Sequence, residues 1–477
     1  MAKKSLGAGA VIGLVMAIAA AAGIAAVWVR GIDKTAEPTY PSAWDPRVAG
    51  LVSYVEQHRG LTFKHPVYVV FLSDAEFVKE VTSDGSDLTA ADKKDLANQQ
   101  AFMRALGLIA GKTDLLQASN DLNGSDVLGL YSFKDKKIRV RGDQLTPSLR
   151  VTLVHEMTHA LQDQYFDLTA TYKRLDAAKD GDSSAFHAIV EGDAVRIQQG
   201  YSASLSAADR AAIAKQDQAD AARAQKGSAS VPEFMQALQA APYPLGEFAV
   251  KTAFGGGGNA AVDGLFRNPP TDDSVIVDPA LVDSPRKPAS IPSLRLAPGE
   301  TEVDRGTFGE LPLFLMLAKD SQYWVAAFLA QGDVNDRYLQ YTKGSETCVR
   351  AEFEGQDPGA AKGLYDGLSL WAQGSRTGAT VKRSGQIVTI NSCDPGPKYV
   401  PSADHSNDAL SVLATRNAIY AGVRGDGVPA GFAVCYADKV VESFSPKDLD
   451  RLNSDQIGAA DEAKLKSLAS GCSQTNS

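Results

Sequence analysis

Apolar positions recur at helical spacing through most of this chain and alternate in a few short runs. Leu149, Leu153, Met157 and Leu161 come every fourth residue, with Val154 and Ala160 between them, so a mostly buried helix is expected. Thr146-Pro147 reads as its N-cap and a proline at its first position. A second apolar helix pattern runs from Ser184 to Val195, with Phe186, Ile189 and Val190 on its buried side and Ser183 or Ser184 as cap. Upstream, Val67 to Leu72 reads as a strand, Ser73 to Glu76 as a capping box, and Thr89 to Asp92 as the start of a helix reaching about Gly107. Asn120 to Ser125 reads as loop. Val127 to Tyr131 and Lys137 to Val140 read as a hairpin that leads into the helix after Pro147.

Further along, Ala207 to Lys226 is alanine-rich and charged, the pattern of a surface helix. Pro242-Tyr243-Pro244 and Gly255 to Gly258 read as loop points. Residues 284 to 300, with four prolines, read as an irregular crossing segment. Leu311 to Leu317 and Tyr323 to Leu329 return to helix. Val381 to Lys382 and Gln386 to Ile390 read as strands, Asn407 to Ala421 and Asp455 to Leu468 as helices, and Ser470 to Ser477 as a disordered tail. The expected class is α+β: a helix-rich domain with a small antiparallel sheet beside the Leu149 helix.

Residues 6 to 29 are almost wholly apolar and long enough to span a bilayer. Lys3 and Lys4 precede them, which places the N-terminus in the cytoplasm and the remainder outside. A cleaved signal peptide is the rival reading, since the alanine run offers cleavage sites. The expected organisation is an anchor or signal peptide over 1–30, a proline-bearing linker over 31–46, a main domain over 47–375 and a small C-terminal α/β region over 376–477. Secretion follows if the first segment is cut. The net charge of −9 disfavours a nucleic-acid partner. The four cysteines, Cys348, Cys393, Cys435 and Cys472, all lie late, and an even number outside the cytoplasm suggests two disulfides. Three pairings are open; Cys348 with Cys393 and Cys435 with Cys472, neighbours in sequence, are expected.

The candidate chemistry sits at His155-Glu156-Met157-Thr158-His159. On a helix, four residues advance roughly 400° and about 6 Å, so both imidazoles face one metal ion. Two neutral imidazoles hold Zn²⁺ without cancelling its charge. The ion brings the pKa of a coordinated water towards ~7, and Glu156 is placed to take the proton. Only six histidines occur in 477 residues, which makes the spacing informative. A catalytic zinc usually has a third protein ligand. Glu191 on the next apolar helix is the best candidate, because a glutamate there is costly unless paired or metal-bound. His187, one turn earlier, is an alternative ligand or transition-state donor. Asp193 is an alternative ligand or an outer partner that orients a histidine. Tyr243 or Tyr201 could donate to a tetrahedral intermediate.

These residues carry a resemblance. His155-Glu156-x-x-His159-Ala160-Leu161-Gln162-Asp163-Gln164, followed by Glu191-Gly192-Asp193-Ala194, resembles the gluzincin group of zinc metallopeptidases. It is most similar to predicted bacterial and archaeal proteins of the minigluzincin or peptidase-MA-like type. Gly129-Leu130-Tyr131, Ile138 to Gly142, Pro242 to Phe248 and Asn268 to Thr271 resemble the same set, with a fainter likeness from Ala326 to Tyr338. The resemblance covers roughly residues 48 to 370. It implies a zincin-like domain, one zinc held by His155, His159 and Glu191, Glu156 as general base, and a peptide or protein substrate. The expected protein is therefore a membrane-anchored extracytoplasmic zinc metallopeptidase. The alternative is a zinc-stabilised, catalytically inactive envelope scaffold, which a closed fourth ligand such as His187 would favour.

Overall fold

The computed structural model describes residues 38–477 other than 87, 178–182, 287–292, 454–455 and 474–477. The expected anchor or signal peptide and the first part of the linker lie outside the described residues. Among the described residues, no helix is long and apolar enough to cross a membrane.

The molecule is helix-rich with two small sheets, in keeping with an α+β class. The first sheet holds β1 (Val69–Leu72), β2 (Gly129–Ser132) and β3 (Lys137–Arg141) in the order β1-β3-β2. The hairpin forms as its alternation predicts, with Tyr131 opposite Ile138. β1, however, pairs with β3 in parallel. The sheet is thus mixed rather than antiparallel, because the helices between β1 and β2 carry the chain back across before the hairpin begins. The capping box at Ser73/Glu76 forms, and Thr89/Asp92, read only as a helix start, forms a second one.

The histidine helix spans Pro147–Phe166, with the Thr146 hydroxyl accepting from the Leu149 N–H. Its stripe of Leu149, Leu153, Met157 and Leu161 is buried against Ile138, Val140 and Tyr131 of the sheet. The Glu191 helix, Ser184–Ser204, bridges two cores. Phe186, Ile189 and Val190 enter the larger one, while Ile197 and Tyr201 enter the one beneath the histidine helix. A 26-residue helix, Pro242–Arg267, lies against it. Pro242 and Pro244 were expected in a loop but occupy its first turn, where no backbone N–H is required. The four glycines at 255–258 lie inside this element and break it, with non-helical angles at Gly257 and Gly258. Likewise Asn120 to Ser125 is not loop: it completes a helix, Leu115–Asp126, capped by Asp114.

The second sheet is antiparallel, in the order β4-β5-β6-β8-β7, from β4 (Glu300–Gly306), β5 (Asp333–Lys343), β6 (Glu346–Gly355), β7 (Thr380–Ser384) and β8 (Ile387–Cys393). β7 and β8 agree with their pattern. β4, β5 and β6 were not read: register shifts at Glu302/Asp304 and Asp333/Asn335 interrupt the alternation of β4 and β5, whereas β6 alternates at Val349, Ala351 and Phe353 and was simply missed. Val349, Ala351, Phe353, Val388 and Ile390 share a core with Leu364, Leu368 and Trp371 of the helix Pro358–Ser375. The expected division at 375/376 falls between strands of this one sheet, and the Cys348–Cys393 disulfide joins its two sides. The second disulfide, Cys435–Cys472, ties the helix Ala430–Ser443 to the last one, Ala459–Ser473. The expected disordered tail from Ser470 is therefore helical to Ser473, with Cys472 buried.

Candidate metal centre

The two histidines and Glu191 meet where the histidine helix packs on the Glu191 helix. Each offers a ligand atom, and these atoms lie within 4.8 Å of one another. His155 Nε2 and His159 Nε2 are 2.9 Å apart, and Glu191 Oε2 lies 3.1 Å from the first and 3.3 Å from the second. Zinc bonds of about 2.0–2.1 Å at tetrahedral angles separate donors by roughly 3.3 Å, so this triangle fits one ion. Among the described residues, no fourth His, Cys, Asp or Glu joins it.

Both rings are oriented from behind. His155 Nδ1 lies 2.8 Å from Gln198 Oε1, and His159 Nδ1 lies 3.0 Å from Gln162 Oε1. An amide oxygen only accepts, so each ring donates from Nδ1 and presents Nε2 to the triangle. The Gln162 amide is locked because its Nε2 donates to Val190 O and to Asp193 Oδ2. Asp193 is thus an outer partner of His159. Its own charge is held by Arg59 and Arg196, at 2.7 and 2.8 Å.

Electrostatics agree with the geometry. Burial alone would lower the His159 pKa, but contact with the Glu191 carboxylate outweighs it and holds the ring up at about 9. Burial alone would raise Glu191, yet His159 and His155 hold it well below the usual carboxylate range. For Glu156 burial prevails, and its carboxyl is pushed up in spite of the two imidazoles. Its Oε2 accepts from the Tyr131 N–H at 2.7 Å. Its Oε1 is buried and has no hydrogen-bond partner. A glutamate with one oxygen anchored and the other bare, beside a three-donor triangle, is suited to accept a proton from water.

The other candidates divide. Tyr243 reaches the site: burial and then Glu191 raise its hydroxyl pKa, and its ring centroid lies 6.2 Å from that of His155. His187 does not join the triangle; its Nδ1 lies 3.1 Å from the Tyr172 hydroxyl. Tyr201 sits apart, packed edge-on to Tyr54. Cys348 and Cys393 lie near Glu346, but their sulfurs are bonded to each other and leave no thiolate to bind metal. Sequence reasoning missed Tyr131, Gln162, Gln198, Arg59 and Tyr172. Gln162, one turn past His159, and Gln198, two turns past Glu191, carry a helical-spacing signal that could have found them.

Compared with known proteins, the chain matches no family model, no curated protein and no solved structure.

Proposed function

We propose that this chain is a membrane-anchored, extracytoplasmic, zinc-dependent peptidase. The bare Oε1 of Glu156, a carboxylate that feels the charges of His155, His159 and Glu191, carries the reading. One Zn²⁺ held by those three residues supplies Lewis acidity to a scissile carbonyl and makes water a better acid. Glu156 takes the water's proton on Oε1 and passes it to the leaving amine nitrogen, while Tyr131 keeps Oε2 fixed. Tyr243 stands ready to donate to developing negative charge. Among the described residues only three donors gather here, which supports a catalytic over a structural zinc, because structural sites close with four protein ligands. The two disulfides support an extracytoplasmic location.

One observation favours the zinc-stabilised scaffold as the second reading. His155, Glu156, His159 and Glu191 are all under 8% exposed. Glu156→Gln separates the two. The amide still accepts from Tyr131 and spares the zinc ligands, so the peptidase reading expects full zinc content and a loss of peptide hydrolysis of about 10²-fold or more. Wild-type protein that holds zinc yet cleaves no member of a broad peptide library would favour the scaffold. A folded wild type that takes up no zinc would sink both.

A further inference from the structure

Arg59 is fully buried, and no part of the proposed reaction uses it. It ends the helix Ala49–Arg59, and the next residue, Gly60, turns the chain with a φ of 71°. Burying a guanidinium is costly unless it is paired. Here it is paired twice, by Asp193 Oδ2 at 2.7 Å and by Asp263 Oδ1 at 2.7 Å. Asp263 belongs to the Pro242–Arg267 helix, beyond the break at Gly257 and Gly258. Asn259, just past that break, donates to His58 O and accepts from Arg196. The glycine break therefore aims Asn259 and Asp263 at the end of the Arg59 helix.

From Arg59 an unbroken chain of contacts leads to a zinc ligand. Arg59 Nε donates to Asp193 Oδ2. The same oxygen accepts from Gln162 Nε2 at 3.0 Å, and Gln162 Oε1 faces His159 Nδ1. We infer that Arg59 is a positioning residue for the metal centre. By fixing Asp193 it fixes the direction of the Gln162 amide. That amide accepts the His159 Nδ1 hydrogen and so turns Nε2 towards Glu191 and His155. Without Arg59 the Asp193 carboxylate keeps only Arg196 on its other oxygen, and the Gln162 amide relies on Val190 O, so the hold on His159 Nδ1 loosens. The inference rests on the zinc reading.

The test is a double-mutant cycle in the full chain, read as zinc affinity by competition with a chromophoric chelator. Cobalt absorption spectra of the same proteins report ligand geometry. Arg59→Lys keeps the charge but loses the two-sided fork; Gln162→Met keeps the volume but cuts the relay. Each is expected to weaken zinc about 10- to 100-fold and to shift the cobalt bands. Together they are expected to cost no more than the larger single loss, because Arg59 acts through Gln162. Unchanged affinity in folded Arg59→Lys, or losses that multiply in the double variant, overturns the inference. Should Arg59→Lys fail to fold, Asp263→Asn loosens Arg59 from the opposite side. It is expected to weaken zinc several-fold in the wild-type background and not in the Gln162→Met background; no change in either overturns the relay. A folded wild type that binds no zinc overturns the metal site itself, whereas zinc binding that is indifferent to these variants overturns the relay alone.

Discussion

The Tyr131 N–H donates to Glu156 Oε2 at 2.7 Å, while the Tyr131 hydroxyl donates to Asp163 Oδ2 at 2.8 Å. One residue of β2 thus grips the histidine helix at two points about two turns apart. Lys136, at the hairpin turn, joins the grip through Asp163 at 2.6 Å. Sliding of the strand along the helix would break both Tyr131 bonds at once. Glu156, the proposed general base, is therefore held by the sheet and not by its own helix.

This contact leaves little room beside it. A Cβ on Gly129 would lie 2.5 Å from Thr152 Cγ2 and 3.0 Å from Glu156 Cγ and Oε1. Gly129→Ala is therefore expected to push β2 off the helix and tilt Glu156. Peptide hydrolysis should fall at least tenfold, while zinc content stays near that of the wild type, since no metal ligand touches Gly129. Turnover with metal analysis checks this. Wild-type turnover in the variant would show that the base tolerates displacement and that its anchoring by Tyr131 is incidental.

The histidine spacing, the apolar stripe at Leu149, Leu153, Met157 and Leu161 and the Thr146-Pro147 start specify the helix Pro147–Phe166, because each is a local rule that tertiary context did not override. Glu191 was readable for a related reason, as a carboxylate on an otherwise apolar face. Arg59 was not readable. It looks like any basic residue at a helix end, and its burial depends on Asp193 and Asp263, 134 and 204 positions later in the chain, counting 193 − 59 and 263 − 59. The glycines at 255–258 were legible as a break: Gly257 and Gly258 leave helical angles, while the residues on either side pack as helix. In the large sheet β7 and β8 were legible, whereas β4 and β5 were not, because their register shifts interrupt the alternation.

Away from the metal centre, Glu310 gives a pH dependence of known sign. Its Oε2 accepts from Arg286 at 2.9 Å, while its Oε1 is buried without a partner. Burial, opposed by Arg286 and reinforced by Asp273 and Asp278, pushes its carboxyl well above the usual 4.5. Asp333 nearby is pushed up as well, by burial and by Asp336 and Glu310. A carboxyl raised on folding contributes stability that is fully present below the unfolded value of 4.5 and is lost as pH rises through the folded value. Glu310→Gln is neutral at every pH. Relative to the wild type it should gain stability with rising pH, by up to about 1.4 kcal/mol per pH unit within the titration window. Melting temperatures of both proteins from pH 5 to pH 9 measure this. A constant difference would mean that Glu310 is ionised throughout.

The closest helix crossing sets the position of Glu191. A Cβ on Gly246 would lie 1.8 Å from the Ala188 carbonyl oxygen, and one on Gly192 would lie 2.1 Å from the Gly246 carbonyl carbon. The obstructing atoms are backbone, so no rotamer change relieves them. Gly246→Ala must push the two helices apart, and Glu191, one turn beyond Ala188, moves away from the histidines. The expected outcome is destabilisation of about 1–3 kcal/mol from overpacking, with a loss of zinc affinity of at least tenfold in protein that still folds. Gly422→Ala is the control: it sits in the helix Ser406–Gly425 with nothing within 4 Å of its added Cβ. There, alanine's better helix propensity should stabilise by up to about 1 kcal/mol and leave zinc binding unchanged. Equal zinc affinity in the two variants would mean that Glu191 does not depend on the crossing for its place among the ligands.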